Sequence, residues 1–397
     1  MKRLFSLFLF LCCITGPAVA SDTVFDFYGF VMVDAGYDTK QVDPAWFDVL
    51  RTTKLPSYKD QYGADGNTYF SVRQTRFGVK TTTPTDMGDL FTQFAWELYG
   101  VGVDAGQTTI RLRHAYGQLG KWGAGQYWSP FMDIDVFPNT VEYWGPAGMV
   151  FFRNVQVRYM PIQGDTRMTI ALERPGASGD QGVYSGRIAL DDVQPHFPLP
   201  DLSAEYRVGR DWGYVEVAGI LRYIEWEDAG TDSLDLAGDA TGWGVNLSSN
   251  LKLGKSNVAR LQFVYGEGIE NYMNDAPADI GVEANPGNPT SPVKGVTIPV
   301  MGVVAFLDHT WNPKFSSSVG YSMVDIDNLE SQSPDAFSMG HYAIGNLLYY
   351  PAPNVMTGIE LQYGKRENFK ADPITGFDGS DDVRVQVSFK YNFGKTI

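Results

Sequence analysis

In TTIRLRHAYGQL, residues 108–119, Arg111 and Arg113 alternate with Ile110, Leu112 and, further on, Tyr116. Successive side chains of a β-strand point to opposite faces. The spacing therefore predicts one oily face and one face carrying two guanidinium groups, shared with Thr109 and Ala115. Guanidinium is permanently charged and donates in a planar fork that matches a carboxylate, so its chemistry is anion recognition. The same alternation recurs in VRQTRFGVK, where Gln74, Arg76 and Lys80 oppose Phe77 and Val79. In NVQVRYM, Asn154, Gln156 and Arg158 oppose Val155, Val157 and Tyr159, and TRMTIALE adds Arg167. Between these stretches lies SPFMDIDVFPNTVEYWGP, residues 129–146, with Asp133, Asp135 and Glu142 among bulky aromatics and prolines.

Other chemistry is poorly provided for. The histidines are His114, His196, His309 and His341. His114 falls on the oily parity of its strand, where it could serve an outward-facing lipid hydrolase or pack at a subunit contact. No Ser or Asn stands beside it at a spacing suited to a triad, so the packing reading is preferred. No Gly-rich phosphate loop, metal-ligand pair or haem signature occurs, and the acidic stretch 227–240 matches no tight calcium loop. The sequence thus predicts no catalytic residue, no metal and no cofactor. The only cysteines, Cys12 and Cys13, fall within MKRLFSLFLFLCCITGPAVA. That stretch reads as a secretory signal, residues 1–20, with a basic start, a short apolar core and an Ala-Val-Ala cleavage site. Its removal takes the formal charge from −15 to −17, since Lys2 and Arg3 leave with it. A chain so acidic lacks the basic footprint of a nucleic-acid binder.

The elements that must position these residues are strands. Alternation in segments of about 10 residues marks a membrane barrel. It is clearest in DVRVQVSFKYNF, residues 382–393, where Val383, Val385, Val387, Phe389, Tyr391 and Phe393 oppose Arg384, Gln386, Ser388, Lys390 and Asn392. Connections divide into short turns, such as 120–122, 254–257 and 351–354, and long polar loops, such as 39–68, 130–150, 175–200 and 268–294. Seventeen segments alternate well enough to be strands. Strict exchange of short and long connections requires that VYSGRIAL, 183–190, belong to a loop, which leaves sixteen strands and both termini on the periplasmic side. No linker divides the chain, so residues 21–397 form one all-β domain, a sixteen-stranded antiparallel transmembrane β-barrel.

A barrel of that size encloses water. An arginine facing lipid at mid-depth costs roughly 2–4 kcal/mol, so Arg76, Lys80, Arg111, Arg113, Arg158 and Arg167 are expected to face the lumen. Residues 129–146, as the third extracellular loop, are expected to fold inward and set acids against this basic wall. Rings of Arg and Lys select anions. The plain alternative is that each cation is solvated or paired with Glu97, Glu173 or Glu205.

The stretches 73–100, 104–146 and 150–161 closely resemble the DcaP-like outer-membrane porins, and the pattern extends over about 24–393. The resemblance implies a homotrimer in the outer membrane of a Gram-negative bacterium, surrounded by lipid and lipopolysaccharide. It also implies an inward third loop and uptake of small anionic solutes such as dicarboxylates. The family's arginine-rich constriction matches Arg76, Arg111, Arg113 and Arg158, with Asp133 and Asp135 on the loop. Two features depart from the family. The first strand begins within four residues of the expected cleavage site, leaving no periplasmic coiled-coil extension, and Phe393 is followed by Gly-Lys-Thr-Ile. A plugged receptor would need a plug domain, and a channel for oily substrates would need an apolar lumen. A general diffusion porin without charge preference is the nearest competing reading.

Overall fold

The computed structural model describes residues 23–186 and 190–397. The expected signal, 1–20, and part of the 183–190 stretch lie outside the described residues. Sixteen strands form the barrel: β1 (Val24–Asp38), β2 (in two pieces, Asn67–Ser71 and Arg76–Thr83), β3 (Leu90–Tyr99), β4 (Thr108–Leu119), β5 (Trp122–Trp128), β6 (Arg153–Ile162), β7 (Arg167–Glu173) and β8 (Asp201–Arg210), then β9 (Gly213–Asp228), β10 (Gly238–Leu253), β11 (Asn257–Glu267), β12 (Pro299–Asn312), β13 (Phe315–Ile326), β14 (Phe337–Ala352), β15 (Val355–Asn368) and β16 (Gly379–Thr396). Each pairs antiparallel with its neighbours in sequence, and β1 closes the cylinder against β16, with Asp26 opposite Thr396 and Asp38 opposite Arg384. The described part of 183–190 contains a single 3-10 turn, Gly182–Tyr184, within the loop that follows β7, as strict exchange of short and long connections requires.

The alternation of β16 holds. Arg384, Gln386 and Ser388 are buried inside, whereas Val385, Val387, Phe389 and Tyr391 are exposed on the outer surface. Trp122, Trp212, Trp311 and Tyr391 stand exposed near the short-turn end, where an aromatic girdle meets the polar headgroups. The turn before β15 needs a left-handed residue and has Asn354, φ 65°, one of the residues that tolerates that region.

Strict parity fails in β4. Ala95 pairs with His114 but Trp96 pairs with Leu112, so Arg113 is an extra residue, a β-bulge that re-aims the rest of the strand. Beyond the bulge the faces exchange. His114 and Tyr116, expected outside, are buried and share the lumen side with Ala95 and Gly123, while Ala115 moves to the outer parity. Gly123 permits this, since a Cβ there would collide with the Tyr116 hydroxyl.

The lumen is partly filled. Phe131, Met132, Val136, Met149 and Val150, from the segment between β5 and β6, pack against Ala218, Ile220, Val264, Val304, Val324 and Ile344 on the inner faces of β9 to β14. The inner wall is thus apolar on one side, as a bed for the inserted segment rather than as a lining for oily solutes.

Candidate pore constriction

The segment 129–152 crosses the lumen and is held at both ends. At one end Asp133 takes Arg207 Nη2 at 2.6 Å, Tyr214 Oη at 2.6 Å and Ser248 Oγ at 2.7 Å. Asp135 takes Arg207 Nη1 at 2.6 Å, and Arg207 Nε reaches Glu216 at 2.6 Å. At the other end Thr140 Oγ1 and the Val141 N–H donate to Glu360, at 2.7 and 3.1 Å, while Gln74 and Gln386 donate to the Val141 carbonyl, at 2.8 and 3.1 Å. The strap therefore runs from β8–β10 to β15, β16 and β2.

This placement changes the expected field. Asp133 and Asp135 are engaged by Arg207 and do not face the basic wall. A buried carboxylate needs a paired, hydrogen-bonded charge, and Arg207, which the sequence reading missed, supplies it. Glu142 is buried and accepts from the N–H groups of Leu50, at 3.2 Å, and Gly145. Burial pushes its carboxyl up to about 8. What the strap turns towards the basic wall is mostly aromatic and apolar, Ile134, Phe137, Tyr143, Trp144, Phe151 and Phe152, with Thr140 and the buried Glu142 among them.

The wall opposite is built around one carboxylate. Glu97, fully buried in β3, has Arg76 Nη2 at 3.1 Å, Arg153 Nη2 at 3.8 Å and Arg111 Nη1 at 3.9 Å. Arg113 and the Tyr143 hydroxyl also donate to it. Strand geometry sets this up, because Arg76 and Arg111 both stand opposite Glu97 in register, and the bulge turns Arg113 towards the same point. Arg153, at the first position of β6, joins them although its parity with Val155 and Val157 pointed outward. Lys390 of β16 completes the set, its Nζ 4.0 Å from the Phe30 ring centre. These groups line a cavity of about 370 Å³ with the strap on its other side. Four arginines thus surround one ionised carboxylate, and Lys390 lines the same cavity. Arg76 Nε and Arg153 Nη1 are buried without an acceptor among the described residues.

The remaining expected cations lie elsewhere. Arg158 points into the lumen but lies between the Tyr116 and Tyr127 rings, 5.5 and 5.1 Å from their centres, and donates to Gln156. Arg167 pairs with Glu205 and Glu216 at 3.3 and 3.0 Å, beside a cavity of about 650 Å³ near the short turns, shared with Arg207, Arg210 and Lys252. Lys80 stands over Tyr28, 5.0 Å from its ring centre. Of the expected acids, Glu97 and Glu205 do pair with arginines, and Glu173 instead accepts from Ser129 and Ser203. On the outer side of the constriction, Arg51 of the first long loop is stacked between Trp46 and Trp144, 4.2 and 4.0 Å from their centres, and pairs with Asp275 at 3.1 Å.

The family model described as DcaP outer membrane protein matches residues 12–393. The crystal structure of the outer membrane channel DcaP of Acinetobacter baumannii superposes with a TM-score of 0.76 at 20% identity, over 94% of this chain and 97% of that one. An anion-selective porin from Comamonas acidovorans has a TM-score of 0.58 at 11% identity, over 94% and 100% of the two chains. The trimer form of OmpT, an outer membrane protein of Vibrio cholerae, has a TM-score of 0.56 at 12% identity, over 94% and 100%. Among curated protein sequences none matches. With a closed barrel of sixteen strands and a family match over nearly its whole length, the chain belongs to the DcaP outer membrane protein family, a family of outer-membrane channels.

Proposed function

We propose that this channel is a passive, anion-preferring pore for small hydrophilic solutes, dicarboxylates among them. The observation that carries the reading is the cavity in which Arg76, Arg111, Arg113, Arg153 and Lys390 face a mostly aromatic strap whose Asp133 and Asp135 are paired with Arg207 and whose Glu142 is buried. A carboxylate entering from the loop side would exchange part of its hydration for guanidinium donors. Glu97 holds the arginines in place and tempers their attraction, and passage requires binding weak enough to release. No covalent step or energy source is involved, and the chain is not an enzyme in this reading. It would be exported through its signal, residues 1–20, and fold as one barrel domain. Both termini would be periplasmic, and three copies would associate in lipid and lipopolysaccharide, in keeping with the trimer form of OmpT.

The test is single-channel recording with succinate added on the loop side. Brief current blocks that lengthen with succinate and shorten in Arg111→Ala/Arg113→Ala support the reading. Blocks unchanged in that variant would remove these residues from the mechanism. At about 4 Å and water-like screening each lost guanidinium corresponds to about 1 kcal/mol of attraction, so blocks are expected to shorten at least about five-fold.

A further inference from the structure

His196 belongs to a short strand, Val193–His196, that pairs with the outer end of β9, where His196 stands directly opposite Glu225 and Gln194 opposite Glu227. Glu225 and Glu227 are two apart and share one face of β9. Trp226 between them points the other way, donating from its indole N–H to the Leu236 carbonyl at 2.9 Å. His196 Nδ1 lies 2.9 Å from Glu225 Oε1 and 3.5 Å from Glu227 Oε1, and the three donor atoms all lie within 4.8 Å of one another. None is committed to the lumen or to the constriction.

We infer that His196, Glu225 and Glu227 form a binding site for a first-row divalent transition metal on the outer rim of the barrel. An ion about 2.1 Å from each donor separates them by about 3.0 Å at right angles and about 3.4 Å at the tetrahedral angle. The 2.9 Å contact is a hydrogen bond between His196 Nδ1 and Glu225 Oε1, which an ion would displace, and 2.9 and 3.5 Å lie near those separations. One imidazole nitrogen with two carboxylates suits zinc and its neighbours, whereas calcium and magnesium want an all-oxygen shell. Three protein donors leave positions open to water. The ladder hydrogen bonds of two antiparallel strands fix all three backbones, so little order must be imposed on binding. A bound ion would tie the end of the loop after β7 to the wall of β9. The sequence offers no sign of this site, because 29 positions separate His196 from Glu225 and only strand pairing brings them together. The site is independent of the solute that passes through the pore.

The test is titration calorimetry of the full chain, without a histidine tag, folded in detergent and stripped with chelator, against zinc chloride. One zinc per chain is expected, bound at least about ten-fold more weakly by His196→Ala and by Glu227→Gln, and unchanged by His309→Ala on the opposite rim. Heat-modifiable gel migration checks that each variant forms the barrel. All three groups are solvent-accessible, so none is needed for the core. Absence of zinc binding, equal affinity in His196→Ala, or displacement of zinc by equimolar calcium would each overturn the assignment.

Discussion

Glu97 is the residue on which the basic wall turns. Taking one buried partner from an ion-pair group costs about 3–5 kcal/mol. Glu97→Gln is therefore expected to lower the thermal midpoint while raising the anion preference, since the arginines lose their counter-charge. A variant with unchanged midpoint would show that the arginines do not depend on it. Arg153→Ala is expected to weaken anion preference as Arg111→Ala does, whereas Arg158→Ala, whose cation is held among tyrosines, is expected to leave it nearly unchanged. Reversal potentials of the three variants decide this. Arg76 and Arg111 were legible because alternation alone turns them inward, and the bulge keeps Arg113 on the side that alternation assigned to it. Arg153 was not, because parity counted from Val155 fails at the first residue of a strand. His114 and Tyr116 were misread for a related reason, since a bulge at Arg113 leaves no mark in composition.

At the scale of elements, the strap was legible as an insert over 129–146 from its length and aromatic content, but its polarity was not. Its acids looked available to the pore because Arg207, 72 positions from Asp135, cannot be matched to them without the fold. Arg207→Ala would leave Asp133 buried without its cation, a loss of about 3–5 kcal/mol, and should free the strap to proteolysis; a protected strap would contradict the assigned anchor. Glu142 gives the strap a pH dependence. Its folded carboxyl, at about 8, stands above the ordinary 4.5 because burial disfavours the charge. Below 4.5 folded and unfolded chains both hold the proton and nothing is lost. As pH rises from 4.5 to about 8, only the unfolded chain releases it, so stability falls across that window and the loss is complete above it. Glu142→Gln should flatten the thermal midpoint between about pH 5 and 9, and parallel profiles for variant and parent would refute this origin.

Across the whole molecule, the barrel was readable because period-two alternation and the exchange of short with long connections are local signals repeated along the chain. The apolar inner faces of β9 to β14 were less readable, since Ile220, Val264 and Val304 alternate like any half-buried strand and only the strap explains why they face inward. Net charge is a poor guide to such a pore. The chain is strongly acidic, yet its acids lie in outer loops, in pairs with Arg207 and Arg222, or buried like Glu142, and the constriction is left positive. The most direct measurement is the reversal potential of the purified protein in a planar bilayer under a potassium chloride gradient at neutral pH. A value displaced towards the chloride equilibrium potential is predicted. A value at zero or towards potassium would contradict the anion-preferring constriction, and would mean that the outer carboxylates, not the four arginines around Glu97 and Lys390 beside them, govern passage.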